Sequence, residues 1–189
     1  MGQPFELIAD NALEKLGEHY NECHICEKSD CDLYQYQGQW QKESGEIDDD
    51  IYAICSNCIL TKNLAHICDF EYIEIIEEYL AKTNLTAEER ELRKKSLTSK
   101  YQKTPNIPTF MQYEDRPLCC NDITEFIGHP TNKEELYRMT ENVLYWEKQI
   151  KEKSEFYDFR KYGNPESYSD VASFKCKHCE NKYFTFQFT

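Results

Sequence analysis

Apolar and polar positions recur along this chain with changing periods, and those periods predict its elements. Leu7, Ile8, Ala12, Leu13 and Leu16 recur near helical spacing, so residues 1–20 begin with a short amphipathic stretch able to pack as a helix. Leu33, Tyr34, Tyr36 and Trp40 carry strand propensity, and Gly38 marks a turn or bulge among them. Ser44-Gly45-Glu46 followed by Asp48-Asp49-Asp50 reads as an exposed loop, after which Ile51-Tyr52-Ala53-Ile54 forms a short strand. Tyr72, Ile73, Ile76, Tyr79 and Leu80 then fall at intervals of three and four, one buried helical stripe that Asp69 can cap. Thr86-Ala87-Glu88-Glu89 fits a capping box before a charged helix reaching about Leu97.

Pro105, Pro108 and Pro117 make residues 101–118 an irregular or extended linker. The clearest helix follows. Thr131-Asn132-Lys133-Glu134 is a second capping box, and Leu136, Met139, Val143, Trp146 and Ile150 lie on one face beyond it. Residues 157–170, with Gly163 and Pro165, read as a loop. The pattern then becomes strand, turn, strand: Phe174, a Cys-x-x-Cys turn, and Phe184, Phe186 and Phe188 alternating with Thr185 and Gln187. The whole predicts an α+β fold in one compact domain over residues 1–189. Its parts are a zinc-knuckle β segment at about 20–68, a helical middle at about 69–155 and a zinc-ribbon-like hairpin at about 171–189.

Composition narrows the class. A hydrophobic fraction of 40% with 14% aromatics is too high for a disordered chain. No apolar run approaches the roughly 20 residues of a membrane span. The N-terminus, with Glu6, Asp10 and Glu14, lacks the basic and apolar regions of a signal peptide, which predicts a cytoplasmic protein. In that reducing compartment ten cysteines point to metal rather than to disulfides, the secreted disulfide scaffold being the alternative.

Charge is unevenly spread. Residues 1–81 hold 18 acidic and 4 basic side chains, whereas residues 82–189 are nearly balanced, and the chain carries −13. Such a first half repels phosphates, so no nucleic-acid partner is expected there, although it can steer a basic protein partner. Glu46, Asp48, Asp49 and Asp50 are the candidate contacts; plain solubility is the bland explanation. Lys175, Lys177 and Lys182 are the local support for a nucleic-acid-binding zinc ribbon.

The cysteines carry the strongest signal. Cys23-His24-Ile25-Cys26 and Cys55-Ser56-Asn57-Cys58 are two Cys-x-x-Cys knuckles, and a tetrahedral zinc ion takes four thiolates so arranged. The 28 residues between Cys26 and Cys55 suffice for a hairpin that returns the second pair to the first. Thioredoxin-like redox chemistry is the alternative, and no βαβ pattern surrounds either pair. His24 is expected to be exposed rather than ligating. Cys176 and Cys179 form a third knuckle, whose candidate partners are Cys119 and Cys120, although adjacent residues rarely both reach one ion. An open, three-ligand site at Cys120, Cys176 and Cys179 would allow a zinc- or thiol-dependent enzyme. Cys31 and Cys68 read as small buried apolar side chains. No phosphate-cradling glycine loop, zincin helix or nucleophile elbow is present.

These knuckles and their surroundings resemble the CbrC family of bacterial proteins. The likeness rests on Cys23-His24-Ile25-Cys26 with Tyr36-Gln37-Gly38, on Ala53 to Ile59, and on Lys103-Thr104-Pro105 with Phe110. It rests further on Cys120-Asn121-Asp122 running to Phe126-Ile127-Gly128, and on Phe174 to Cys179. Two departures fall at the second site: Thr124 stands where the family pattern has a cysteine, and Cys119 where it has histidine. Either the fourth ligand moves from 124 to 119, or that site is incomplete. The acidic N-terminal stretch also differs from the short Tyr/Pro-rich family start. The resemblance implies little biochemistry beyond tolerance or immunity to protein toxins such as colicins, a role that a non-enzymatic binding protein would serve. Nuclease toxins are commonly basic, which agrees with the acidic first half.

Overall fold

A computed structural model of the chain describes residues 4–67, 69–107, 116–142, 144–145 and 159–186. It is a mixed α+β protein, as the periods predict. Strands β1 (Leu33–Gln41) and β2 (Ile47–Cys55) form an antiparallel hairpin, and β3 (Leu64–His66) pairs with the other edge of β1. Gly38 sits at a bulge in the β1–β2 register. A Cβ there would meet the Ala65 carbonyl oxygen at 2.2 Å, so only glycine lets β3 approach. Asp48, Asp49 and Asp50 belong to β2 rather than to a loop, because the turn closes earlier: the Lys42 N–H donates to Glu46 O at 2.8 Å.

Helix α1 (Ser56–Thr61) follows β2 directly. Helices α2 (Asp69–Ala81) and α3 (Ala87–Gln102) pack together through Tyr72, Ile76 and Leu80 against Leu97 and Tyr101. Asp69 is the first residue of α2 rather than a cap outside it. Thr86 caps α3 as expected: its hydroxyl accepts from the Glu89 N–H, and the Glu89 carboxylate accepts from the Thr86 N–H. The helix runs five residues beyond Leu97, so the linker starts only after Gln102. His66, buried between the rings of Tyr36 (4.2 Å) and Tyr101 (4.5 Å), joins the first sheet to α3.

The middle is less helical than its periodicity suggests. Short strands β4 (Leu118–Cys119) and β5 (Asp122–Ile123) form a small hairpin, and β6 (Glu125–Gly128) continues into a second sheet. Helix α4 (Lys133–Asn142) is capped one residue later than expected: Asn132 Oδ1 accepts from the Glu135 N–H at 3.0 Å. The apolar pattern continues to Ile150, but the helix stops at Asn142, and β7 (Leu144–Tyr145) joins the sheet instead. Val143, Trp146 and Ile150 lie outside the described residues. A short helix, α5 (Phe159–Tyr162), interrupts the predicted loop.

Strands β8 (Val171–Lys175) and β9 (Lys182–Phe186) give the expected strand–knuckle–strand. The four-stranded sheet has the order β6-β8-β9-β7. Gln187 and Phe188 lie outside the described residues. At the other end, residues 4–20 do not make the expected amphipathic helix. Ile8 forms a parallel bridge to Phe126, and a 3₁₀ turn covers only Asp10–Ala12. The apolar residues there are used singly: Phe5 enters the core of the first sheet, Leu7 the helical core and Ile8 the core beside β6 and β8. Among the described residues, no helix is long and apolar enough to cross a membrane.

Candidate metal centres

The first knuckle is built by its own backbone. The Cys23 N–H donates to Lys28 O at 3.0 Å and the Glu27 N–H to Cys23 O at 2.8 Å, with Glu27 in the left-handed region at φ 57°. The turn then docks on the hairpin, where the His24 N–H donates to Ala53 O at 2.9 Å and the Cys55 N–H to Cys23 Sγ at 3.3 Å. Cys55 ends β2 and Cys58 lies in the first turn of α1, so the strand-to-helix corner turns both sulfurs inward. Cys23, Cys55 and Cys58 are buried in the core of the first sheet, and Cys26 is half-buried. His24 is exposed and does not ligate; its Nδ1 accepts from the Tyr52 N–H at 3.1 Å.

The third knuckle repeats the first bond for bond. The Cys176 N–H donates to Asn181 O at 2.8 Å and the Glu180 N–H to Cys176 O at 3.0 Å, with Glu180 at φ 63°. Its partners come from the β4–β5 hairpin. That hairpin has a two-residue loop, Cys120-Asn121, with φ of 52° and 60°, the geometry of a type I′ turn. Cys119 therefore lies in a strand and Cys120 in a tight turn, and this change of direction lets adjacent sulfurs converge. Adjacent residues rarely both reach one ion, and the turn is what brings these two candidate partners together. Thr124 is buried, and its hydroxyl donates to Pro117 O at 2.8 Å while Cys119 supplies the fourth sulfur.

The result is two tetracysteine groups among the described residues: Cys23, Cys26, Cys55 and Cys58, and Cys119, Cys120, Cys176 and Cys179. Within each, all four sulfurs lie within 4.8 Å of one another. A tetrahedral ion with metal–sulfur bonds of about 2.3 Å sets its sulfurs about 3.8 Å apart. Cys26 and Cys55 are 3.8 Å apart, Cys119 and Cys120 3.8 Å, and Cys119 and Cys179 3.5 Å. Donor chemistry and spacing thus both fit a thiophilic metal ion at each centre.

The thiols are polarised alike in both groups. Burial pushes Cys23 up, but N–H donors from Cys55, Cys26 and Ile25 outweigh it and bring the thiol down to about 7. The Asn181 N–H, ahead of the Cys119 thiol, brings Cys179 down to about 7. Burial pushes Cys55 up to about 11, and raises Cys58 and Cys119 strongly. Cys120 is raised through its bond to Cys179. Each group therefore gathers its protons around one thiolate, and a metal ion displaces the rest.

The centres differ in exposure. Cys120 and Cys179 are exposed, whereas the first group has no exposed sulfur. Residues without a spacing signal support the second centre. The Tyr183 hydroxyl donates to Cys119 Sγ at 3.2 Å, and the Asn121 N–H donates to the Tyr79 hydroxyl at 3.3 Å. Asp122 receives both Lys100 (3.1 Å) and His178 Nε2 (3.0 Å), pinning the third knuckle to α3. The Asp following the turn was the one legible hint. Cys31 is half-buried rather than buried, its thiol donating to Lys28 O at 3.5 Å, and Cys68 lies outside the described residues. Phe110 also lies outside them. Glu46 in the turn and Asp48 on β2 pair with Lys42 at 2.9 and 3.6 Å, while Asp49 and Asp50 on the strand are exposed.

Fold and site together define a protein with two tetracysteine groups, each able to hold a metal ion, one at the base of a hairpin and the other joining two hairpins. Within that class the chain belongs to the Uncharacterised protein family (UPF0167), whose model matches residues 9–188. No curated protein and no solved structure matches the chain.

Proposed function

We propose that the chain is a zinc-stabilised binding protein whose acidic surface takes a basic protein partner, in a toxin-immunity or colicin-tolerance-like role. The supporting observation is that each centre offers four thiols and nothing else, the donor set of a closed structural zinc site with no position for a reacting water. Zinc then serves the scaffold, and the surface does the work. The resemblance to the CbrC family adds the suggestion of toxin tolerance, and the cytoplasm is the compartment such a role would use. Asp49 and Asp50 stand exposed on an edge strand, with Glu46 and Asp48 beside them, so a basic partner would meet four carboxylates in five residues. An acidic edge also discourages pairing with another sheet, which is the competing use of the same residues.

The test is a binding titration of the zinc-loaded protein against basic nuclease-toxin domains at stepped salt. Binding that weakens with salt, and is lost when Glu46, Asp48, Asp49 and Asp50 are replaced by lysine, supports the role. Binding indifferent to both removes those residues from it. A second reading, zinc- or thiol-dependent catalysis at Cys119, Cys120, Cys176 and Cys179, draws on the exposure of Cys120 and Cys179. It requires that the zinc-loaded centre take a fifth ligand or be alkylated by iodoacetamide; inert thiols and unchanged metal spectra would end it.

A further inference from the structure

Among the described residues two thiols are exposed, Cys120 and Cys179, and both belong to the second tetracysteine group. Their partners Cys119 and Cys176 are buried. Cys179 Sγ lies 3.5 Å from Cys119 Sγ, closer than the 3.8 Å between Cys26 and Cys55 or between Cys119 and Cys120. A disulfide of about 2.05 Å asks those two sulfurs to close by roughly 1.5 Å, within reach of small side-chain rotations. Cys119 and Cys120 are held too close at the backbone to pair in the same way. Adjacent Cα atoms lie about 3.8 Å apart, short of the roughly 4.4–6.8 Å that a disulfide spans.

Contacts other than thiolate–metal bonds also hold the two hairpins together. Cys119 and Cys176 sit in one apolar core with Phe126, Phe174 and Tyr183. The Tyr183 hydroxyl donates to Cys119 Sγ at 3.2 Å, and Asp122 ties the third knuckle to the β4–β5 hairpin through His178 Nε2 at 3.0 Å. A buried sulfur is thus fixed beside an exposed one. The first group lacks this arrangement, since three of its thiols are buried and the fourth, Cys26, is half-buried.

We infer that Cys179 is a site of modification by peroxides with Cys119 as its resolving partner, so that a disulfide replaces the metal clasp and the ion leaves. The Cys179 thiolate attacks one peroxide oxygen; the O–O bond breaks, hydroxide leaves with the electron pair, and a sulfenic acid forms. The Cys119 thiolate then attacks the Cys179 sulfur; the S–S bond forms, the S–O bond breaks and a second hydroxide leaves. Two thiolates lose two electrons in all, and one peroxide is reduced to two hydroxides. Cys120 and Cys176 alone leave a tetrahedral ion two ligands short. The β4–β5 and β8–β9 hairpins stay joined, now covalently, so the ion departs without the second sheet coming apart. Release of the ion rests on the reading of zinc at this centre, whereas the disulfide does not.

The experiment treats the full, metal-loaded chain with hydrogen peroxide. Zinc content beforehand, measured with 4-(2-pyridylazo)resorcinol in denaturant, tests the zinc reading by itself; a chain without zinc would end that reading, and the peptide map would still decide the disulfide. One of the two ions should be lost, with a Cys119–Cys179 disulfide in the map and circular dichroism unchanged. Dithiothreitol with added zinc should restore the lost ion. Dimedone added with the peroxide should label Cys179, and Cys119→Ser should raise that label because no resolving thiol remains. Cys120→Ser should form the same disulfide, whether or not that variant keeps its ion. Retention of both ions, loss of both together, a disulfide through Cys120 or Cys176, or a label on Cys120 alone would overturn the inference.

Discussion

If the two centres hold zinc, they should surrender it at very different rates. A chelator displaces a metal by approaching its ligands, and at the second centre Cys120 and Cys179 already face solvent. At the first, Cys23, Cys55 and Cys58 are buried, and access requires the β2–α1 corner to open. That opening uncovers Ile54 and Ile59, both fully buried. Exposing a buried isoleucine costs about 1.5–3 kcal/mol, so the two together raise the barrier by about 3–6 kcal/mol. At about 1.4 kcal/mol per factor of ten, the first centre should release its ion about a hundred- to ten-thousand-fold more slowly. The assay is absorbance of 4-(2-pyridylazo)resorcinol after mixing in excess with the two-zinc protein. Two phases of one zinc each are expected, and Cys120→Ser should remove the fast phase while Cys58→Ser removes the slow one. A single phase releasing both ions, or the opposite assignment by the variants, would refute the reasoning.

Gly38→Ala places a Cβ 2.2 Å from Ala65 O and 2.6 Å from the Tyr36 ring, forcing β3 off β1. A loss of about 1–3 kcal/mol in urea unfolding is expected, and an unchanged midpoint would contradict the close approach. Asp122→Asn removes the carboxylate that Lys100 and His178 share, for about 1–2 kcal/mol near neutral pH. Burial pushes the Asp122 carboxyl up, but His178 and Lys100 outweigh it and hold it below its ordinary value. A depressed carboxyl contributes stability above its unfolded value and loses it as pH falls toward the folded one. The gap between wild type and variant should therefore close only below about pH 4, as unfolding at stepped pH would measure. Zinc binding should release at least two protons per ion, because Cys55 and Cys58 at one centre and Cys119 and Cys120 at the other are held protonated at neutral pH. Calorimetry in buffers of different ionisation enthalpy counts those protons, and fewer than one per ion would contradict the polarised clusters.

The first centre was legible in the sequence because both its pairs are Cys-x-x-Cys, whose spacing alone aims two sulfurs at one point. The second was legible only as a candidate, because Cys119 and Cys120 converge through the positive φ of a type I′ turn that adjacency by itself does not reveal. Periodicity misled where tertiary pairing won. Leu7 and Ile8 look like a helical stripe, yet each enters a different core. The stripe through Leu136 and Met139 promised a helix to Ile150, but β7 is recruited to the edge of β9. Three consecutive aspartates read as a loop because aspartate is rare in strands, and an edge position with one solvated side tolerates them.

The order in which the centres occur along the chain bears on how a ribosome delivers this protein. Everything the first centre needs has emerged once Cys58 and α1 clear the exit tunnel, so it can capture its ion while synthesis continues. The second waits for Cys179, roughly 120 residues and on the order of ten seconds of translation later. For the second half of that interval, roughly 60 residues, the β4–β5 hairpin presents Cys119 and Cys120 without their partners, an adjacent thiol pair open to oxidation or to the wrong metal. A cell short of the metal would then accumulate chains with a finished first sheet and a frayed second one, and quality control would meet the protein in that form.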